Sequence, residues 1–137
     1  MAPEPAELFE ASSPLARRLA EAGPDPDLVA AARRLLPQLT EAEKVQTLNA
    51  HPRIGERPAS ISARSRAEQG DDVLPELERL NREYESRFGF RFVVFVDGRP
   101  KAEIVEVMRR RIGRSREKEM AEGLQAIVDI AESRLRS

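Results

Sequence analysis

Cysteine is absent from the 137-residue chain, which removes disulfide frameworks, thiolate metal sites and cysteine nucleophiles. Only one histidine is present, so little remains from which to build a metal site, and no metal is expected. Long apolar runs are lacking as well. The longest, Leu28 to Ala32 and Phe92 to Val96, have five residues each, against the ~20 needed to cross a bilayer, and no membrane partner is expected. The opening Met-Ala-Pro-Glu-Pro-Ala-Glu carries no basic stretch leading into an apolar one, and the closing Arg-Leu-Arg-Ser is not a peroxisomal tripeptide. A cytoplasmic location is therefore the expectation. Excess charge of one sign is missing too: 23 Lys and Arg face 24 Asp and Glu, a formal net charge of −1 that promises no nucleic-acid partner. There is no phosphate-binding glycine loop, dinucleotide fingerprint or serine nucleophile elbow.

What is present suits one all-α domain spanning residues 1–137, since the length is enough for one core and the apolar and charged fractions, 40% and 34%, are those of amphipathic helices. Ten prolines and seven glycines punctuate the periodic segments. After a short opening segment around Leu8 and Phe9, Ser13 and Pro14 start a helix that stops at Gly23. Asp25 and Pro26 repeat the signal for a second, which turns Leu28, Ala32, Leu35 and Leu36 to one face before Pro37 breaks it. Thr40 and Glu43 form a capping box for a third, which must end near Ala50 because Pro52 pushes His51 out of the helical region. Leu77, Leu80, Tyr84 and Phe88 recur at helical spacing up to Gly89. Two further helices run from about Pro100 to Gly113, with Ile104, Val107 and Met108 inward, and from about Ser115 to the end, with Met120, Leu124, Ile127 and Ala131 inward.

Phe92-Val93-Val94-Phe95-Val96 followed by Asp97-Gly98 has the composition of a strand and turn, but a lone strand has no partner. It reads as one extended buried segment near residues 91–97 crossing a helical core, with a short strand in a dimer as the alternative.

A few polar residues stand in unusual places. His51 is fixed at a helix exit by Pro52; a histidine there is either a proton-transfer group or a structural residue. Ser65, Glu68 and Gln69 share one side of a helical turn and offer a hydroxyl, a carboxylate and an amide, although Ser-x-x-Glu is equally a capping box, which the pattern alone favours. Arg134 projects near the inward face of the last helix, where it either binds a carbonyl or carboxylate or extends out of a frayed terminus. The run Arg109-Arg110-Arg111 with Arg114 and Arg116 is interleaved with glutamates and reads as a solvated helix face.

His51-Pro52-Arg53-Ile54-Gly55, then Ser65-Arg66-Ala67-Glu68-Gln69-Gly70, then Leu80-Asn81 through Tyr84 to Phe88-Gly89-Phe90 resemble, in order and spacing, the 2-oxo-4-hydroxy-4-carboxy-5-ureidoimidazoline (OHCU) decarboxylase family. The resemblance extends from Leu8-Phe9-Glu10 with Ser13-Pro14 to Arg134-Leu135. It departs at Arg91, where the family commonly has proline, and in a compact connection from Glu56 to Ala63. What the resemblance implies is an all-helical homodimer that decarboxylates OHCU, a small-molecule substrate of urate degradation, to (S)-allantoin without metal or organic cofactor. It implies His51 and Glu68 as catalytic residues, with Pro52, Ser65, Arg66, Ala67, Gln69, Phe92, Val93, Val94, Phe95, Val96 and Arg134 binding the substrate. His51 would donate the proton, Glu68 would orient it or meet the substrate hydroxyl, and Arg134, Ser65 and Gln69 would hold carbonyls. Two other readings stay open: a non-enzymatic helical module that binds a protein partner, and an enzyme acting on another ureido or hydantoin compound.

Overall fold

Side-chain caps and prolines fix where the helices begin. The computed structural model describes residues 3–54 and 74–136, and all regular structure among them is helical. Pro5–Leu8 forms a single turn, α1. Helix α2, Pro14–Ala22, starts where the Ser13 hydroxyl accepts the Ala16 amide at 3.1 Å, and ends at Gly23, whose φ of 91° suits a residue without Cβ. The cap of α3, Leu28–Leu35, is Asp27, which accepts the Ala30 amide at 3.0 Å. That start lies later than the sequence reading put it: Asp25 instead accepts the Asp27 amide at 2.8 Å, in a turn that leads into the cap. Pro37 does not simply break the helix. Leu36–Gln38 tightens into a 3-10 turn, leaving Leu35 and Leu36 half-buried while Leu28, Val29 and Ala32 enter the core.

Helix α4, Glu41–Ala50, opens with the full capping box, Thr40 accepting the Glu43 amide at 3.1 Å and Glu43 accepting the Thr40 amide at 2.9 Å. Arg18 of α2 grips the same carboxylate with bonds of 2.6 and 2.8 Å. Chiefly through that grip, and then through the Thr40 amide, the Glu43 carboxyl is held down to about 2.

Helices α5, Leu74–Phe88, α6, Lys101–Ile112, and α7, Arg116–Arg136, complete the fold. The last is the central post: α1, α3 and α4 pack on it, α2 covers α1, α3 and α4, and α5 pairs with α6. Leu77, Leu80, Tyr84 and Phe88 enter the core from α5, and Met120, Leu124, Ile127 and Ala131 from α7, as their spacing requires. Helices α4 and α7 approach closely at Gly123, where a Cβ would lie 2.9 Å from the fully buried Leu48. On α6, Ile104, Val105 and Met108 are buried whereas Val107 is only half-buried.

Two elements differ from expectation. Residues 91–97 are extended and unpaired with any strand among the described residues, but only Phe92 and Val93 are buried; Val94, Phe95 and Val96 are half-exposed because they edge a cleft. The arginine run is not uniformly a solvated face either. Arg111 is 4% exposed, since it falls at i+7 from Ile104 and i+3 from Met108 and so shares their stripe. Its Nε donates to Glu119 at 2.7 Å, Nη1 donates to the Val93 carbonyl at 3.0 Å, and the guanidinium lies 4.6 Å from the centre of the Phe92 ring. Tyr84 donates to the same Glu119 oxygen at 2.7 Å. No helix among the described residues is long and apolar enough to cross a membrane.

Candidate active site

His51 stands where α4 must stop. Its amide still donates to the Leu48 carbonyl at 3.2 Å, but its ψ of 137° is extended, as the following proline demands. The chain then turns away from the helix with the imidazole half-buried, 17% exposed. Arg91 ties this exit to the far side of the site: its Nη1 donates to the His51 carbonyl at 3.0 Å, and its amide donates to Asn49 Oδ1 at 2.9 Å. A proline at position 91, common in the family the sequence resembles, has neither donor.

The extended residues 92–96 form the second wall. Their carbonyls are held from behind: Val93 by Arg111, and Phe95 and Val96 by Arg99, with bonds of 2.6 and 3.0 Å. Asp97, with φ 48°, and Gly98, with φ 75°, close the turn, in which the Arg99 amide donates to the Val96 carbonyl at 3.0 Å. Among the described residues, none of the five amides from Phe92 to Val96 has a hydrogen-bond acceptor. A backbone left in that condition is able to bind a polar ligand.

Arg134 supplies the third side from α7, together with Ile130 one turn before it and the adjacent Ser133. Its Nη1 donates to the Leu8 carbonyl at 2.8 Å and its Nη2 lies 3.6 Å from Glu10, yet the side chain remains 42% exposed. The guanidinium is therefore positioned without being used up.

His51, Pro52, Phe92, Val93, Val94, Phe95, Val96 and Arg134 line one open cleft of about 380 Å³, a volume suited to a small molecule. Ser65, Arg66, Ala67, Glu68 and Gln69 lie outside the described residues. Several neighbours carry no signal as site residues in the sequence, Ile130 and Ser133 among them. Arg53 and Ile54 continue the cleft wall after Pro52. Behind the cleft, a second and much smaller cavity is lined by His51 and Arg134 again, now with Leu8, Thr47 and Glu10. The Glu10 carboxylate reaches to 3.9 Å from His51 Nδ1. Short sequence spacing gave no hint of that approach, because 41 positions separate the two residues.

Burial is the main influence on His51 and pushes its pKa below the ordinary 6.5. Glu10 works in the other direction, while Arg134 and Arg91 add to the lowering. Among the described residues, no cluster of three histidine, aspartate or glutamate side chains is arranged to hold a metal ion. The arrangement offers a proton carrier, a cation and an array of backbone donors around a small space. Such groups can orient a flat, carbonyl-rich molecule, stabilise negative charge on it and exchange one proton with it.

The OHCU decarboxylase family profile matches residues 5–136. A 2-oxo-4-hydroxy-4-carboxy-5-ureidoimidazoline decarboxylase of Haloferax volcanii is 34% identical over 140 residues, covering 94% of this chain and 83% of that protein. A uric acid degradation bifunctional protein of Bacillus subtilis is 32% identical over 93% of this chain, which corresponds to only 28% of the larger protein. A crystal structure of OHCU decarboxylase in the presence of (S)-allantoin superposes with a TM-score of 0.72 at 25% identity, covering 91% of this chain and 89% of the other. With a profile match over nearly its whole length and relatives above 30% identity, this chain belongs to the OHCU decarboxylase family.

Proposed function

We propose that this protein decarboxylates 2-oxo-4-hydroxy-4-carboxy-5-ureidoimidazoline to (S)-allantoin in the degradation of urate, with His51 as proton donor and without a cofactor. The observation that carries this reading is the meeting of His51 and Arg134 across one small cleft walled by the Phe92–Val96 backbone, in a chain of this family. Breaking the bond to the carboxylate releases carbon dioxide and leaves its electron pair on the ring carbon, from which the neighbouring imine accepts it. One proton delivered to one face of the ring then fixes the configuration of the product. Among the described residues His51 is the imidazole on the cleft wall, a group that can give up a proton near neutral pH. Arg134 holds a carbonyl or carboxylate of the substrate, and the amides of residues 92–96, which have no acceptor among the described residues, receive the ring and ureido oxygens. Pro52 fixes the backbone that presents the imidazole. Glu68, with Ser65, Arg66, Ala67 and Gln69, is proposed to complete the pocket on the strength of the sequence resemblance. The same resemblance supports a homodimer, and the cysteine-free composition is compatible with a reducing cytoplasm.

The test generates OHCU in place from urate and follows its decay and the chirality of the allantoin by circular dichroism. Wild type is expected to accelerate formation of the S enantiomer. His51→Ala should lose about 10²–10⁴-fold of that acceleration, the usual share of a positioned general acid. Folded wild-type protein that leaves the spontaneous decay unchanged overturns the assignment.

A further inference from the structure

We propose that Glu10 is a positioning residue for His51: its carboxylate holds the Nδ1 edge of the imidazole from behind the cleft, so that Nε2 is presented to the substrate. The inference rests on His51 being the proton donor of the decarboxylation.

The two cavities supply the first argument. His51 and Arg134 line both the 380 Å³ cleft and the small cavity behind it. Glu10 lines only the rear one, so its carboxylate reaches the substrate space through those two side chains and not directly. Distance supplies the second. Glu10 Oε1 is 3.9 Å from His51 Nδ1, an approach whose charge favours a proton on that nitrogen in the neutral ring and which contracts to a hydrogen-bonded ion pair when the ring takes up a second proton. Since Nδ1 and Nε2 lie on opposite edges of the ring, a carboxylate on one commits the other to the cleft.

Glu10 is itself pinned. Its carbonyl accepts the Ser13 amide at 3.0 Å and the Ser13 hydroxyl at 2.7 Å, the start signal of α2. Arg134 anchors the preceding turn through the Leu8 carbonyl and approaches Glu10 Oε1 to 3.6 Å. The carboxylate therefore sits between two groups that face the substrate. Of the charged groups acting on His51 among the described residues, Arg134 and Arg91 disfavour the imidazolium, as does burial, and Glu10 favours it. Without that carboxylate the ring would be a poorer reservoir for the proton the reaction consumes.

His51 is the single histidine of the chain, so its imidazole nitrogens give unambiguous signals in nitrogen-15 NMR, and the pairing is measurable without substrate. In wild type, neutral His51 is expected to carry its proton on Nδ1. In Glu10→Gln its pKa is expected to fall further and that tautomeric preference to weaken. The kcat for OHCU is expected to drop about tenfold to a hundredfold, part of what a general acid contributes, with KM little changed. A purely structural role for Glu10 would move neither the titration nor the kcat of the folded variant. Unchanged His51 titration and tautomer in folded Glu10→Gln overturn the proposal. If that variant fails to fold, a wild-type His51 protonated on Nε2 in its neutral form overturns it equally. Wild-type inactivity toward OHCU with the pairing intact overturns the reaction assignment instead, so the two failures are separable.

Discussion

Burial strips water from His51 and favours its neutral form, and this has opposite consequences for activity and stability. The imidazolium needed as donor is lost as pH rises through a value below 6.5. The prediction is a kcat/KM for OHCU that falls on the alkaline side of that value, a limb missing in His51→Asn. Stability runs the other way. In the window between the lowered native pKa and about 6.5, the unfolded chain binds more protons than the native one. Acidification through that window therefore favours unfolding, and above it His51 adds no pH slope. At this scale the sequence was informative about His51 and Pro52, whose constraint is local. It was silent about Glu10, which lies 41 positions from His51 and meets it only when α1 folds back on α7.

The extended segment is the element on which the cleft depends, and it is held by side chains in place of a neighbouring strand. Tyr84 of α5, Glu119 of α7 and Arg111 of α6 form a buried set, and Arg111 passes the constraint to the Val93 carbonyl. Burial and the Glu119 hydrogen bond push the Tyr84 hydroxyl well above its ordinary pKa, so it remains a donor. Removing the cation leaves the fully buried Glu119 carboxylate with the neutral Tyr84 hydroxyl and, as counter-charge among the described residues, Arg114 at 3.4 Å. Arg111→Met is expected to destabilise by about 3–5 kcal/mol in urea unfolding, and to raise KM in any protein that still folds, because Val93 loses its anchor. A stability within about 1 kcal/mol of wild type would contradict this account. The sequence supplied the stripe of Ile104, Met108 and Arg111, but the charge of the surrounding run hid it. Helix starts such as Ser13 and Thr40 were legible because capping is a chemistry of three or four consecutive residues.

Across the whole molecule, α7 carries the load: it packs against α1, α3 and α4, and delivers Arg134 to the cleft from its last turn. The close passage at Gly123 sets the spacing between α7 and α4, and so between Arg134 and His51 at their ends. Leu135 is the one exposed large hydrophobic side chain among the described residues, so no broad apolar face there announces an interface. The proposed homodimer accordingly requires a mixed polar surface. Sedimentation velocity at micromolar concentration is expected to give twice the chain mass, and a monomer under those conditions would overturn the dimer. By itself the sequence determined the helical architecture, the helix boundaries to within a few residues and the family, because caps, prolines and apolar spacing act over one or two turns. The tertiary structure alone decided that Glu10 stands behind His51, that Arg111 leaves the basic run for the core, and that the whole Phe92–Val96 segment lines a cleft, Phe92 and Val93 while buried and Val94 to Val96 while half-exposed. All of this depends on pairings between distant positions, which local pattern does not encode.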